Sequence, residues 1–373
     1  MANSFVLRYL QNLILPHRLS YLVFFVTTRC NAACPFCLRD RFPDAAEKGA
    51  NTELSIDEID KIASRMQGLA HLLISGGEPF MRNDLDQIIR SFYTRSHTRF
   101  VTITTNGYFS NEIEDKVSRI LHENRNLFLQ IHISINGTQE VHDSTKRLPS
   151  SFAHLEETCG KLKKLRYSFN NLRLASITVA SDPLKGNMPD LTAFLGKDLS
   201  FFDNYYLTPV IQKDGRPIEN PLLPEDAEAW MHLKRKQQRR LLRFWDTYAY
   251  CTLRRSQYVI ARAMKRNSAV VDCTAGRKFV VLKQNGEVFP CEFSQSGAIG
   301  NIRDFQYDIM RLLRCDRARH IRNNIVKHKC YCCWACAMNI NLVSRLRSCF
   351  RILLDSVFAC LWSKKIFMLN RPK

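Results

Sequence analysis

From about residue 20 to 210, short apolar runs rich in β-branched and aromatic residues alternate with longer stretches of helical period. The runs are Tyr21–Thr27, Leu72–Ser75, Phe100–Thr104, Leu127–Ile135, Leu172–Val179 and Tyr205–Val210. Between them, Ile56–Met66, Leu85–Tyr93, Glu112–Glu123, Phe152–Tyr167 and Asp190–Leu195 read as amphipathic helices. No hairpin signal interrupts this alternation, so the pattern predicts parallel βαβ units. Six such units suit an open or partial barrel as well as an open sheet. The turn-like, proline-rich stretch Asp214–Pro224 ends the series. A basic helical stretch follows from Glu225 to about Lys265, with Lys234, Arg235, Lys236, Arg239, Arg240 and Arg243; such a run is more often a solvated face than a nucleic-acid groove. After it, Lys278–Leu282 and Glu287–Phe289 flank a Gln284-Asn285-Gly286 turn and predict a hairpin. The tail from Asn339 reads as one basic amphipathic helix.

Length and composition bound the class. The 373 residues, 45% hydrophobic and 24% charged, are ordinary for two or three globular domains and exclude wholesale disorder. Net charge is +20, which favours anionic partners without choosing among nucleic acid, anionic lipid and acidic small molecules. The N-terminus is a poor signal peptide, because Arg8, Gln11, His17 and Arg18 interrupt its apolar stretches. No run of about 18–20 apolar residues predicts a spanning helix. The 14 cysteines are bunched: Cys30, Cys34 and Cys37 form one group, and nine more fall between Cys273 and Cys360. Bunching suits metal sites better than disulfides and predicts a reducing, cytoplasmic setting.

The first group, Cys30-x3-Cys34-x2-Cys37, directly follows the first β-run. Three thiolates on a tight loop leave a metal cluster with one open position, where a structural zinc site would want four closed ligands. Three further motifs end β-runs: Ser75-Gly76-Gly77-Glu78-Pro79, Thr104-Thr105-Asn106-Gly107, and His132-Ile133-Ser134-Ile135-Asn136-Gly137 followed by His142-Asp143 and Lys146-Arg147. Strand ends are where βα folds place ligands. Taken alone, each of these is a turn or a zinc knuckle.

Together the motifs resemble the radical S-adenosylmethionine (radical SAM) enzymes over about residues 20–210. The resemblance implies a partial (β/α)6 TIM-like barrel, followed by a small α+β cysteine-rich domain. It assigns Cys30, Cys34 and Cys37 to a [4Fe–4S] cluster whose open iron chelates SAM. Phe36, Gly76, Gly77, Glu78, Pro79, Thr105, Asn106, Ser134 and Arg147 would then bind the cofactor, with Arg147 on the SAM carboxylate. Asn136 stands where the family usually has Asp. Leu207–Val210 weakly matches its adenine contact. The implied chemistry is reductive cleavage of SAM to a 5′-deoxyadenosyl radical, which abstracts hydrogen from a substrate. The catalytic acid and base stay unassigned.

The C-terminal spacing Cys273-x12-Gly286-x4-Cys291 is similar to the opening of the SPASM and Twitch auxiliary domains. The resemblance implies one auxiliary [4Fe–4S] cluster, completed from Cys330, Cys332, Cys333 and Cys336, with Cys336 plus one of the others favoured. The implied organisation is an extension (1–19), the radical SAM core (20–215), a basic helical linker (216–270), the auxiliary domain (271–338) and an amphipathic helix (339–373). The partners implied are a low-potential electron donor of flavodoxin or ferredoxin type and an unidentified, anionic or lipid-linked substrate. Peripheral membrane contact is a further expectation, through Leu346, Phe350, Leu353, Leu354, Val357, Phe358, Leu361 and Trp362 of the tail, although such a helix more often docks on its own protein. Two rivals stand beside this reading: a peptide-modifying maturase, and a non-catalytic basic zinc protein that binds nucleic acid.

Overall fold

The structure is a computed structural model. It describes residues 18–37, 53–66, 68–212, 215–217, 223–238 and 244–369, with side chains throughout except at 235–238, 244–246, 249 and 360–369. The expected N-terminal extension lies almost wholly outside the described residues. So do Arg239, Arg240 and Arg243, and the side chains of Leu361 and Trp362.

The six predicted units are present in order. They are β1 (Tyr21–Thr27), α1 (Ile56–Arg65), β2 (His71–Gly76), α2 (Leu85–Arg95), β3 (Phe100–Thr105), α3 (Ser110–Glu123), β4 (Phe128–Ser134), α4 (Gln139–Lys146), α5 (Ser151–Ser168), β5 (Leu172–Ala180), α6 (Met188–Lys197) and β6 (Asn204–Pro209). Each strand pairs in parallel with the next, so the sheet runs β6-β5-β4-β3-β2-β1. Local chemistry starts the first helix. Ser55 caps α1 in a capping box with Glu58, and Glu58 also binds Arg303 at 2.7 Å, tying the helix to the C-terminal region.

β4 shows how the barrel divides its residues. In FLQIHIS, Leu129, Ile131 and Ile133 are fully buried, while Gln130, His132 and Ser134 alternate with them and line an internal cavity. The period of two sends the apolar set toward the helices and the polar set into the lumen. Leu129, Ile131 and Ile133 join the main core with Ile113 and Val117 of α3 and Leu155 and Leu162 of α5.

The cysteine-rich half departs from the expected chain of separate units. β7 (Phe279–Lys283) follows α7 (Pro224–Gln238) and α8 (Phe244–Arg266), and pairs in parallel with β1, from Tyr21↔Phe279 to Phe25↔Lys283. β8 (Glu287–Phe289) and β9 (Gly300–Asn301) extend the same sheet antiparallel. The predicted hairpin is therefore correct, yet it continues the barrel sheet. β1 is apolar on both faces, and β7 covers the edge that β2 leaves open. The sheet stays open, because its end strands β6 and β9 do not pair.

The chain continues through α9 (Ile309–Leu312), α10 (Asp316–Lys327), α11 (Ala335–Val343) and α12 (Leu346–Leu369). The region expected as a linker contains α8, which packs on α11 and α12 and contributes Tyr248, Tyr250 and Leu253 to the cavity wall. The single tail helix expected from Asn339 is two, broken at Ser344 and Arg345. α12 docks through Cys349, Ile352 and Ser356, all buried, while Leu346, Phe350, Leu354, Val357 and Phe358 of the same helix are exposed.

Candidate functional site

A cavity of about 880 Å³ fills the lumen, and the N-terminal motifs meet at one part of its wall. Cys30, Cys34 and Cys37, with Phe36, line it directly above β1. The cysteine loop is held by the ends of three strands and by α4. Gly77 N donates to Thr27 O at 2.7 Å and Glu78 N to Arg29 O at 2.8 Å, which carries the β1–β2 ladder into the loop. Asn106 Nδ2 donates to Asn31 Oδ1 at 2.8 Å, and Ala33 N to Lys146 O at 3.0 Å.

The close approach explains the two glycines. A Cβ at Gly76, where φ is +123°, would lie 2.5 Å from Thr27 O, and one at Gly77 would lie 2.1 Å from Arg29 O. No side chain fits there, so the glycines let the strand end press against the cysteine loop as well as face a ligand.

Glu78 is buried and satisfies three donors: Thr105 Oγ1 at 2.9 Å, Phe80 N at 3.2 Å and Asn106 N at 2.7 Å. Burial raises its pKa despite these bonds. Its carboxylate thus ties the ends of β2 and β3 together at the cavity wall. Pro79 opens a short 3₁₀ turn behind it, buried and outside the lining.

The motif after β4 is placed one residue away from the expected assignment. Arg147 is exposed, sits in the left-handed region at φ 50° at the end of α4, and does not line the cavity. Lys146 is 3% exposed, lines the cavity and donates from Nζ to Ser134 Oγ at 2.7 Å. Burial lowers its pKa, opposed by the thiols of Cys34, Cys30 and Cys37 and by Glu78. Among the described residues no carboxylate lies within ion-pair distance of it. A buried ammonium facing three cysteines is therefore left with capacity for an anion. Asn136 does not line the cavity. Its Oδ1 accepts from Val179 N at 2.9 Å and its Nδ2 donates to Ser134 Oγ at 3.3 Å, so its amide bridges β4 and β5 and supports Ser134.

The lumen also holds groups to which the motifs assign no role. His71 Nε2 pairs with Thr102 Oγ1 at 2.9 Å, and Tyr21 stands edge-on to His71 at 4.6 Å. His132 has a buried Nε2 with no hydrogen-bond partner, and its ring sits 5.3 Å from Tyr206. Burial lowers the pKa of His132 to about 4, which keeps it neutral near pH 7. The available signal was the polar–apolar alternation of β4.

The second cysteine group resolves into two. The Cys291 thiol, raised first by burial, is raised further by the nearby Cys273, Cys332 and Cys330. The Cys332 thiol likewise feels Cys273 and Cys330. These four belong together. Cys333, which also lines the cavity, donates from Sγ to Gly215 O at 3.3 Å. Cys336 lines the main cavity beside Glu292, its thiol pushed up to about 12 chiefly by burial. Cys336 therefore lies on the lumen side of this region, and Cys330 and Cys332 on the side of Cys273 and Cys291. Among the described residues no three His, Cys, Asp or Glu side chains converge as a single-ion site requires. Ligands of an iron–sulfur cage attach at separate corners of a wider body. Both cysteine groups supply thiols without converging on a point, and burial raises the thiols of Cys273, Cys291, Cys330 and Cys332, so loading that group releases protons.

Comparison with known proteins agrees with this geometry. Residues 24–174 match the Radical SAM superfamily family model. An AdoMet-dependent heme synthase from Methanosarcina barkeri is 26% identical over 300 residues, covering 75% of this chain and 78% of that protein. The antilisterial bacteriocin subtilosin biosynthesis protein AlbA from Bacillus subtilis is 26% identical over 347 residues, covering 88% and 70%. The solved structure of native anSMEcpe with bound AdoMet shares the fold at a TM-score of 0.55 and 14% identity, covering 93% of this chain and 99% of that one. Members of this superfamily are enzymes that use a [4Fe–4S] cluster and SAM and need a low-potential reductant. The motif-bearing part of the barrel, residues 24–174, is a radical SAM domain.

Proposed function

We propose that this protein carries out a radical oxidation of an organic substrate held in the barrel lumen, assisted by an auxiliary [4Fe–4S] cluster. The observation that carries this reading is the convergence of Cys30, Cys34 and Cys37 with Ser134 and the buried Lys146 and Glu78 on one wall of the cavity. A cluster and SAM bound there supply a 5′-deoxyadenosyl radical. The chain's own part is positioning and exclusion of water. Lys146 and Ser134 take the SAM carboxylate and ribose end, Gly76 and Gly77 leave room at the strand end, and Phe36 packs near the adenine. Cys273, Cys291, Cys330 and Cys332 hold the auxiliary cluster. Neutral His132, with its unused Nε2, faces the space left for substrate.

The test is 5′-deoxyadenosine formation by anaerobically reconstituted protein given SAM and dithionite. Formation is expected. A preparation that contains zinc and cleaves no SAM would instead support the basic zinc-binding alternative. For the substrate, a small molecule, sugar or lipid-linked intermediate is the first reading. Peptide modification is the second, favoured by the extent of the match to the subtilosin protein. A small precursor peptide encoded beside the gene and altered in mass by the enzyme would decide for the second.

We also propose peripheral membrane contact through α12. Leu346 (67% exposed), Phe350 (63%) and Phe358 (68%) lie at helical spacing beside exposed Arg347 and Arg351. No helix among the described residues is long and apolar enough to cross a membrane. Co-sedimentation with phosphatidylglycerol vesicles is expected, and its persistence in a Phe350→Glu, Phe358→Glu variant would rule out this surface.

A further inference from the structure

We infer that the exposed face of α10, up to Cys330, is the docking surface for an acidic electron-carrier protein of the flavodoxin or ferredoxin class. This rests on the radical SAM reading above, which requires a reductant but does not say where it binds.

The charge is concentrated and poorly compensated. Residues 311–329 carry Arg311, Arg314, Arg317, Arg319, Arg322, Lys327 and Lys329 against Asp316 alone. Arg314, Arg317, Arg319, Lys327 and Lys329 are exposed. Arg319 engages Asp316, and Arg317 Nε donates to Ala298 O at 2.8 Å. Among the described residues no carboxylate pairs with Arg314, Lys327 or Lys329. The crowding is felt within the patch: the pKa of Arg322 is lowered, by burial first and then by neighbouring Arg277 and Arg319. Such a field raises the encounter rate with an acidic partner.

The patch also ends at the right place. Of Cys273, Cys291, Cys330 and Cys332, only Cys330 is exposed. The chain turns at Lys329, where φ is 48°, and Cys330 N donates to Ile325 O at 3.0 Å, which sets this thiol at the end of α10. On the inner side, Ile325 packs against the same hydrophobic core as Cys273, Cys291 and Cys332. On the outer side, Val326, 57% exposed, gives the ring of cations an apolar centre. The end of α8 closes the rim: Ala269 N donates to Lys329 O at 3.2 Å, and Lys265 and Arg266 are exposed nearby. Nucleic acid or anionic lipid would use the charge, but neither accounts for an exposed thiol of the four-cysteine group at its edge.

The test compares reconstituted full-length protein with an Arg314→Glu, Lys327→Glu variant. Both positions are exposed, unpaired and outside the cavity. The Kd for an acidic flavodoxin is measured by calorimetry as a function of salt, with dithionite-driven SAM cleavage followed on the same samples. The variant is expected to bind flavodoxin at least about tenfold more weakly, with a flatter salt dependence, and to cleave SAM with dithionite as the parent does. An affinity within about twofold of the parent overturns the inference. So does a loss of binding to phosphatidylglycerol vesicles or RNA with flavodoxin binding intact. If the parent cleaves no SAM with dithionite yet its flavodoxin binding still depends on these two residues, the docking surface stands and the radical SAM reading fails.

Discussion

Replacing Lys146 by methionine separates the two roles that a buried ammonium plays here. The side chain is 3% exposed, its Nζ makes a 2.7 Å bond to Ser134 Oγ, and burial dominates the depression of its pKa. Without an anionic partner such a group costs the fold several kcal/mol of desolvation, and a methionine of similar length removes that cost. The apo protein with Lys146→Met is therefore expected to be as stable as the parent or more so, by about 1–3 kcal/mol. SAM binding should move the other way. Removing one partner of a buried ion pair costs about 3–5 kcal/mol, which at about 1.4 kcal/mol per factor of ten is roughly a 10²- to 4 × 10³-fold weaker Kd. Arg147→Ala, at an exposed side chain outside the lining, should change that Kd by less than about threefold. Equilibrium dialysis of SAM against reconstituted protein measures the affinity, and urea unfolding of the apo protein measures the stability. A Lys146→Met Kd within about threefold of the parent, or an Arg147→Ala loss of equal size, would refute the assignment. A strongly destabilised apo Lys146→Met would show instead that the lysine is structural.

Three further outcomes follow from the same geometry. Gly77→Ala places a methyl 2.1 Å from Arg29 O, so the cysteine loop must shift; iron per chain after reconstitution should fall by about four, the complement of one cluster. Cys332→Ala should likewise lose about four irons, whereas Cys336→Ala and Cys333→Ala should keep the parent's count, as read by iron analysis. Glu58 is held at about 2, chiefly by its hydrogen bond from Arg303, below its ordinary 4.5. The stability it contributes is complete above its unfolded value and is lost as pH falls from about 4.5 toward 2, so Glu58→Gln should flatten Tm against pH in that window.

The local motifs were legible because their chemistry is local. The C-x3-C-x2-C spacing, the paired glycines and the Thr-Asn-Gly turn each lie within a few residues of a strand end, and strand periodicity alone puts them at one end of a parallel sheet. Lys146 and Arg147 were not separable in the same way. Lys146 ends α4 and Arg147 caps it, the helix's phase and end are set by packing, and a step of one residue on a helix swings a side chain by about a quarter turn, from cavity to solvent. His132 carried a readable signal, since it repeats the inward phase of Gln130 and Ser134.

The sequence by itself determined the order of strands and helices, the three-cysteine loop, the glycine-lined strand end and the hairpin after Cys273. These depend on turn chemistry and on periods of two and 3.6 residues, which neighbours along the chain enforce. Only the tertiary structure decided that the hairpin completes the barrel sheet beside β1 and that α8 forms part of the cavity wall. It also decided that Cys330 and Cys332 group with Cys273 and Cys291 while Cys336 faces the lumen. Those are pairings between residues tens to hundreds of positions apart. Spacing along the chain limits which partners can meet, and burial of apolar surface against particular neighbours selects among them.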